Sequence, residues 1–296
     1  MEKKIAFIGT GVMGASIVKR LLAAGHSLTI FTRTKIKAEP LVALGANWAP
    51  SVKEAVLGQD IVFTMVGLPS DVREIYYGQD GILQNVTKGT VVIDMTTSQP
   101  ALAAELYEQA SVYKVASLDA PVSGGDIGAQ NGTLSIMVGG DKKVFDEMLP
   151  ILSVFGTQIV HQGSAGSGQH AKMCNQIVAV NNLIGVCEAL SYAKKSGLHA
   201  EQVLHSIRTG AAGSWALSNL GPKILNEDYT PGFYIKHMLK DLHIALQEAV
   251  KMELQLPGLQ NAVEMFAELQ QQGYETDGTQ ALIRWYKENT SAKTSD

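Results

Sequence analysis

Several short segments carry residue types suited to joint chemistry. Gly9-Thr10-Gly11-Val12-Met13-Gly14 fits G-x-G-x-x-G, directly after the apolar run Ile5–Ile8 and at the start of a helical stretch. In that setting Gly9 permits a tight turn, Gly11 lets backbone approach a pyrophosphate, and Gly14 lets helix pack on strand. The helix N-terminus then offers free N–H groups and a positive dipole end to an anion. At the end of the next apolar run the chain reads Phe31-Thr32-Arg33-Thr34, with Arg33 nineteen positions after Gly14. An acid there accepts from a ribose 2′-OH, whereas an arginine fork suits a 2′-phosphate. Arg33, with Thr34 and Lys35 as further donors, therefore favours NADP(H), with NAD(H) possible. A solvated surface arginine is the plainer alternative.

A second group of residues fits a small acid. Ser123, Gly124 and Gly125, in Asp119-Ala-Pro-Val-Ser-Gly-Gly125, offer a hydroxyl and backbone N–H groups that can nest a carboxylate. A simple turn reads the same way. Lys172 and Asn175 are three apart and share a helix face. Burial disfavours a charged lysine, which makes it able to give and take a proton near neutral pH. A lysine snorkelling from a helix start is the alternative. His170 is the competing acid–base group but faces elsewhere. Asp119 and Asp126 have no recognisable proton-transfer partner. His161, His237 and His243 lack metal-ligand spacing, so no metal is expected.

The elements that must position these residues follow two periods. Ile5–Ile8, Leu28–Phe31, Ile61–Val66 and Val91–Ile93 read as buried strands, with helical stretches between them such as Val12–Ala24 and Ala101–Ala110. Alternation of this kind predicts a parallel, doubly wound α/β sheet of Rossmann type with helices on both faces. Leu134–Val138 and Gln158–Val160 add two strands around a helix over Lys142–Val154. Ligands of such sheets bind beyond the carboxyl ends of the strands. That makes Leu68 and Pro69, after one strand, and Thr96 and Thr97, after the next, candidate walls of the nucleotide site, although Ser and Thr helix caps look alike. At Gly163 the character changes. A long helix is predicted over 169–196, then helices over Glu201–Arg208, Trp215–Leu225, Ile235–Met252, Leu259–Gln271 and Thr279–Lys287, and a polar tail over 290–296 that frays. The predicted division is an α/β domain at 1–163 and an all-helical domain at 164–296. Lys240-Asp241 falls mid-helix, either a surface pair or a polar reach toward the nucleotide.

Composition narrows the function. The 296 residues are 46% hydrophobic and 18% charged, enough apolar material for a full core and too much for a disordered chain. With 24 Lys and Arg against 28 Asp and Glu the net charge is −4, which gives no footprint for nucleic acid and no basic cluster for an anionic membrane. The longest apolar candidate, Ile177–Leu190, is interrupted by Asn181 and Asn182. Cys174 and Cys187 fall on one predicted helix, roughly 20 Å apart at 1.5 Å per residue, too far for a disulfide. Both are expected to be buried thiols of a soluble, cytoplasmic protein.

Taken in order, Phe7 to Gly14, Asp119 to Gly125, Gly166-Ser-Gly168 followed by Lys172 and Asn175, and Lys240-Asp241 make the chain resemble the β-hydroxyacid dehydrogenase family over about residues 4–288. The family includes 3-hydroxyisobutyrate dehydrogenases, tartronate semialdehyde reductases and glyoxylate/succinic semialdehyde reductases. The resemblance implies that Lys172 is the catalytic lysine, that Ser123, Gly124 and Asn175 contact substrate, and that Leu68, Pro69 and Thr97 contact cofactor, with Thr96 close by. It places Lys240 near the nicotinamide. It implies a homodimer or homotetramer in which the long helix packs between domains and subunits. Arg73 departs from the pattern, standing where 3-hydroxyisobutyrate dehydrogenases tend to carry an asparagine. The expected reaction interconverts a short β-hydroxy acid and its semialdehyde. The alternatives are a 6-phosphogluconate dehydrogenase, for which the helical domain is short, and a non-catalytic NADP-binding module, against which Lys172 counts. Imine reductases share the layout but commonly lack this lysine.

Overall fold

A computed structural model describes residues 2–291. The chain divides into two compact units, the first ending at Lys172 and the second beginning at Met173.

Among the described residues the first unit is built on nine strands: β1 (Lys4–Ile8), β2 (Ser27–Phe31), β3 (Asn47–Trp48), β4 (Ile61–Thr64), β5 (Val91–Asp94), β6 (Ala116–Asp119), β7 (Val122–Ser123), β8 (Leu134–Gly140) and β9 (Gly156–Gly163). The order is β3-β2-β1-β4-β5-β6-β8-β7, with β9 on β8. From β3 to β6 every pairing is parallel. Side chains alternate across this sheet, so Ile5 and Phe7 of β1 enter one core while Ala6 and Ile8 enter the other. Both faces are thus covered, as parallel sheets require. The expected doubly wound sheet is present. The pattern did not signal that β8 runs antiparallel to β6 and β7, nor that β3 and β7 are two-residue strands.

Parallel pairing brings the carboxyl ends of β2, β1, β4, β5 and β6 to one edge. From that edge the chain enters the helices Val12–Ala23, Pro69–Tyr77 and Pro100–Val112. Pro at the start of the latter two fits a first helical turn, where its missing N–H goes unneeded.

The second unit is helical. No strand follows Gly163 among the described residues. The helix Ser167–Lys195 starts in the first unit and gives most of its length to the second. Its buried Val180, Leu183, Val186, Cys187 and Leu190 join a core with the helices Ile235–Lys251 and Pro257–Gln271. It is long and apolar enough to cross a membrane by length and composition alone, a test that the core helix of a globular unit also meets.

The long helix carries an exposed stripe of Cys174, Val178, Asn181, Gly185, Glu188 and Tyr192 at four- and three-residue spacing. Two expectations are corrected here. Cys174, being on that stripe, is exposed, and only Cys187 is a buried thiol. The predicted helix Trp215–Leu225 is two short ones, Trp215–Asn219 and Gly221–Leu225, because Pro222 cannot continue the first. Of the polar tail, residues 292–296 lie outside the described residues.

Candidate active site

The glycine loop begins where β1 ends. Gly9 has φ 101°, which favours glycine, and its N–H donates to Phe31 C=O at 2.9 Å. A Cβ at Gly14 would collide with the Gly9 carbonyl, so the helix Val12–Ala23 starts hard against the loop. Gly11 differs from both. It is the N-cap, no side chain caps the helix, and a Cβ there would meet nothing within 4 Å. Backbone facing open space at an uncapped helix start fits a dinucleotide's pyrophosphate. Thr10 is buried, and its Oγ1 has no hydrogen-bond partner. Val12 is exposed and Met13 half-buried against the core.

Arg33 follows β2 and is 80% exposed, its Nη1 3.4 Å from Asp71 Oδ1. Thr34 caps the short 3₁₀ turn Lys35–Lys37, and Lys35 Nζ stands 4.5 Å over the Trp48 ring. Leu68 precedes the helix Pro69–Tyr77 and is exposed; its N–H donates to Asp71 Oδ2 at 3.0 Å. Asp71 thus closes that helix start and faces Arg33 with its other oxygen. Arg73 is engaged elsewhere, in a two-point pair with Glu105 at 2.9 and 2.8 Å.

The loop after β5 is held from beneath. Asp94 is buried. Its Oδ1 accepts from Thr64 Oγ1 at 2.7 Å and from Thr96 N–H at 3.1 Å. Burial pushes the Asp94 carboxyl up to about 6, against the pull of these bonds. Thr96 is buried, and its Oγ1 accepts from Val66 N–H at 3.0 Å, which ties the loops after β4 and β5 together. Thr97 is half-buried.

At the end of β6, Asp119 does not wait on a proton-transfer partner. Its oxygens accept from the backbone N–H groups of Gly166 at 2.8 Å and Gln169 at 2.9 Å, at the start of the helix Ser167–Lys195. Burial raises its carboxyl above the usual range, and the backbone donors oppose that. Gln169 in turn bonds the loop after β5 through its side chain. Lys172 follows one turn on and is 7% exposed, so the snorkelling alternative fails. Ser123 ends β7 half-buried, followed by Gly124 at φ 128° and Gly125. The first unit therefore brings Gly9–Gly14, Arg33, Thr34, Leu68, Pro69, Thr96, Thr97 and the start of the Lys172 helix to the edge formed by the strand ends.

The remaining predicted residues belong to the second unit. Asn175 Nδ2 donates to Gln176 Oε1 at 2.8 Å, and Gln176 Nε2 to Asp241 Oδ2 at 2.6 Å. Lys240 Nζ stands 2.8 Å from Asp241 Oδ1. Asp241 is 1% exposed, which removes the surface-pair alternative for Lys240-Asp241. His237 stacks near Phe233 and Tyr234, and burial, then Lys240 and Lys236, hold it below its ordinary range. Among the described residues no group of three or more His, Cys, Asp or Glu could hold a metal ion. Sequence reasoning missed Gln169 and Gln176. No local motif marks them, since Ser98, Thr96 and Asp241, which their amides bond, lie 65 to 73 positions away.

Comparison with known proteins identifies the family. Residues 4–163 match the family model described as the NAD binding domain of 6-phosphogluconate dehydrogenase. Residues 166–286 match that described as NAD-binding of NADP-dependent 3-hydroxyisobutyrate dehydrogenase. A probable 3-hydroxyisobutyrate dehydrogenase-like protein of Arabidopsis thaliana is 44% identical, over 99% of this chain and 88% of its own length. An NAD-dependent L-serine dehydrogenase of Pseudomonas aeruginosa is 37% identical, over 92% of this chain and 94% of its own. Among solved structures, the 3-hydroxyisobutyrate dehydrogenase of Mycobacterium tuberculosis with L-serine has a TM-score of 0.87 at 32% identity, covering 96% of this chain and 99% of that one. On these matches the chain belongs to the β-hydroxyacid dehydrogenase family, the NAD(P)-dependent dehydrogenases that act on a hydroxyl group.

Proposed function

We propose that this protein is an NADP(H)-preferring dehydrogenase that interconverts a short-chain β-hydroxy acid and its semialdehyde, with Lys172 as the proton-transfer group. The observation that carries the reading is the place of Lys172: buried, and one turn from a helix start bonded to the loop that carries Thr96 and Thr97.

Gly9–Gly14 hold the pyrophosphate, with Arg33 and Thr34 at the adenosine end. Leu68, Pro69, Thr96 and Thr97 wall the nicotinamide end, and Lys240 is a further cofactor-contacting residue by its match to the family pattern. A bound nicotinamide nucleotide supplies or accepts the hydride at its ring. The Ser123 hydroxyl and the Gly124 and Gly125 N–H groups hold the substrate carboxylate, which fixes the orientation of the carbonyl. Lys172 gives its proton to the carbonyl oxygen in reduction and takes one from the hydroxyl in oxidation. Asn175, one turn further, is the second polar group for that oxygen. The substrate class covers tartronate semialdehyde, 3-hydroxyisobutyrate and glyoxylate or succinic semialdehyde. L-Serine, named with two of the relatives, is a β-hydroxy acid of the same size.

The test pairs a substrate panel with nucleotide titration. Lys172→Ala is expected to lose about 10²–10⁴ in turnover, the usual contribution of a positioned acid–base group, while nucleotide affinity by fluorescence is unchanged. Arginine at 172 is not expected to rescue it, because a guanidinium does not deprotonate. NADPH should bind at least about tenfold tighter than NADH, since a charge-assisted phosphate contact is worth about 1.5–3 kcal/mol. Tighter NADH binding refutes the preference, and Arg33→Asp should narrow or reverse the gap. We further propose a homodimer or homotetramer built on the exposed stripe Cys174–Tyr192. A monomer by light scattering at micromolar concentration refutes it.

A further inference from the structure

One buried amide joins the loop after β5 to the helix of Lys172, and none of the roles above uses it. Gln169 is fully buried. Its Oε1 accepts from Ser98 N–H at 2.9 Å, and its Nε2 donates to Thr96 C=O at 2.7 Å. These two backbone groups flank Thr97. An amide supplies donor and acceptor together without changing charge, which a carboxylate or an ammonium cannot do. The same residue's N–H donates to Asp119 Oδ2 at 2.9 Å, while Gly166 N–H meets Oδ1 at 2.8 Å. The first turn of this helix is therefore fixed by backbone to β6 and by side chain to the loop after β5. Lys172 lies three residues on, on the same helix face.

We propose that Gln169 is a positioning residue of the dehydrogenase reaction, holding Thr97 and Lys172 in register by bonding both backbone groups beside Thr97 from one turn before the lysine. This rests on the reading of Lys172 as the proton-transfer group and of Thr96–Thr97 as a wall of the nicotinamide site. Proton and hydride must reach one carbonyl together, and a misplacement of about 1 Å costs roughly a hundredfold in rate.

The experiment compares Gln169→Met, Gln169→Glu and Lys172→Ala with the unchanged protein. Methionine keeps the length and fills the space but makes neither bond. Glutamate keeps the acceptor for Ser98 N–H and sets an oxygen against the Thr96 carbonyl. The assay follows NADPH oxidation by whichever semialdehyde of the panel the unchanged protein reduces fastest. Gln169→Met is expected to lower kcat about ten- to a hundredfold with less than a twofold change in KM or in NADPH affinity by fluorescence. Gln169→Glu should fall at least as far. The isotope effect from C4-deuterated NADPH should rise, which a mere loss of folded enzyme would not cause. Independently of activity, amide exchange in the peptide over residues 94–100 should quicken. Turnover within twofold of the unchanged protein in Gln169→Met, beside a Lys172→Ala that is inactive, overturns the role of Gln169 alone. A parallel loss of kcat, nucleotide affinity and folded fraction, with the isotope effect unchanged, also overturns it. If Lys172→Ala keeps its turnover, the reading of the lysine fails and the positioning role fails with it.

Discussion

Two helix starts in the first unit are treated in opposite ways. The helix Val12–Ala23 begins at Gly11 with no side-chain cap and open space beside the backbone. The helix Ser167–Lys195 begins with its backbone N–H groups taken by Asp119, a carboxylate roughly fifty positions earlier in the chain. Both starts present the same orphan donors and the same positive dipole end. One is left open for an anion from outside, and the other is closed by an anion from the fold. The open start can bind a nucleotide because nothing internal competes for it. The closed start holds the first turn of the helix that carries Lys172 because its donors are already satisfied.

Opening the closed start should have the largest effect. Asp119→Ala leaves buried N–H groups at Gly166 and Gln169 without acceptors. At about 1–3 kcal/mol for each buried unsatisfied group, the loss of stability is expected to be about 2–6 kcal/mol by chemical denaturation. Asp119→Asn keeps one acceptor and should cost about half as much. Equal stability of Asp119→Ala and the unchanged protein would show that the cap is dispensable.

Closing the open start is the complementary change. Gly11 has φ −67°, so an aspartate fits the backbone there, and its Cβ meets nothing. As an N-cap in place of glycine, the new carboxylate should stabilise the helix by only about a few tenths of a kcal/mol. It would also occupy the donors a pyrophosphate needs and repel its charge. Gly11→Asp is expected to gain slightly in melting temperature while losing about a hundredfold or more in NADPH affinity. A variant that gains stability and still binds NADPH at full strength would show that the pyrophosphate lies elsewhere.

The same contrast explains what could be read from sequence. The open start is written locally: three glycines in six residues after an apolar run, two of which, Gly9 and Gly14, lie where a Cβ would collide with backbone. The parallel sheet was legible for a similar reason, since runs such as Ile61–Val66 and Val91–Ile93 are apolar throughout when both faces are covered. The closed start is written across distance. Asp119 in Asp-Ala-Pro-Val looks like any strand-end acid, and Gln169 looks like any helix glutamine, until the sheet order brings β5, β6 and residues 166–169 together. Lys172 and Asn175 were legible as a pair from helical spacing. The bonds from Asn175 through Gln176 to Asp241 were not, because they depend on how the second unit's helices meet.

Beneath the nucleotide edge, Asp94 sharpens the contrast with a measurable sign. Burial holds its carboxyl at about 6 in the folded state, above the ordinary 3.8. A group raised on folding contributes stability below its unfolded pKa and loses it as pH rises through the folded value. The unchanged protein should therefore lose stability relative to Asp94→Asn between about pH 4 and pH 7. Each tenfold change in proton affinity is worth about 1.4 kcal/mol, so the difference should be about 1–3 kcal/mol. Asparagine keeps the Oδ1 that accepts from Thr64 and Thr96, so the comparison isolates the charge. Denaturant midpoints for both proteins across that range check it, and a difference that does not vary with pH would remove Asp94 as the cause.

The smallest expected effect lies at the far end of the same edge. Asp71 closes a third helix start through Leu68 N–H and sets its other oxygen 3.4 Å from Arg33. Arg33 is 80% exposed, so solvent screens the pair, and such contacts are worth about 0–1 kcal/mol. Yet that carboxylate stands beside the arginine assigned to the 2′-phosphate, where it both occupies the guanidinium and opposes a second anion. Asp71→Asn keeps the acceptor for Leu68 N–H and removes only the charge. NADPH affinity should rise about two- to fivefold, with NADH affinity unchanged, and the gain should shrink as salt screens the charges. Fluorescence titrations with both nucleotides at low and high ionic strength measure it. If the variant tightens NADH and NADPH alike, the carboxylate acts on the shared part of the nucleotide and has no part in the preference.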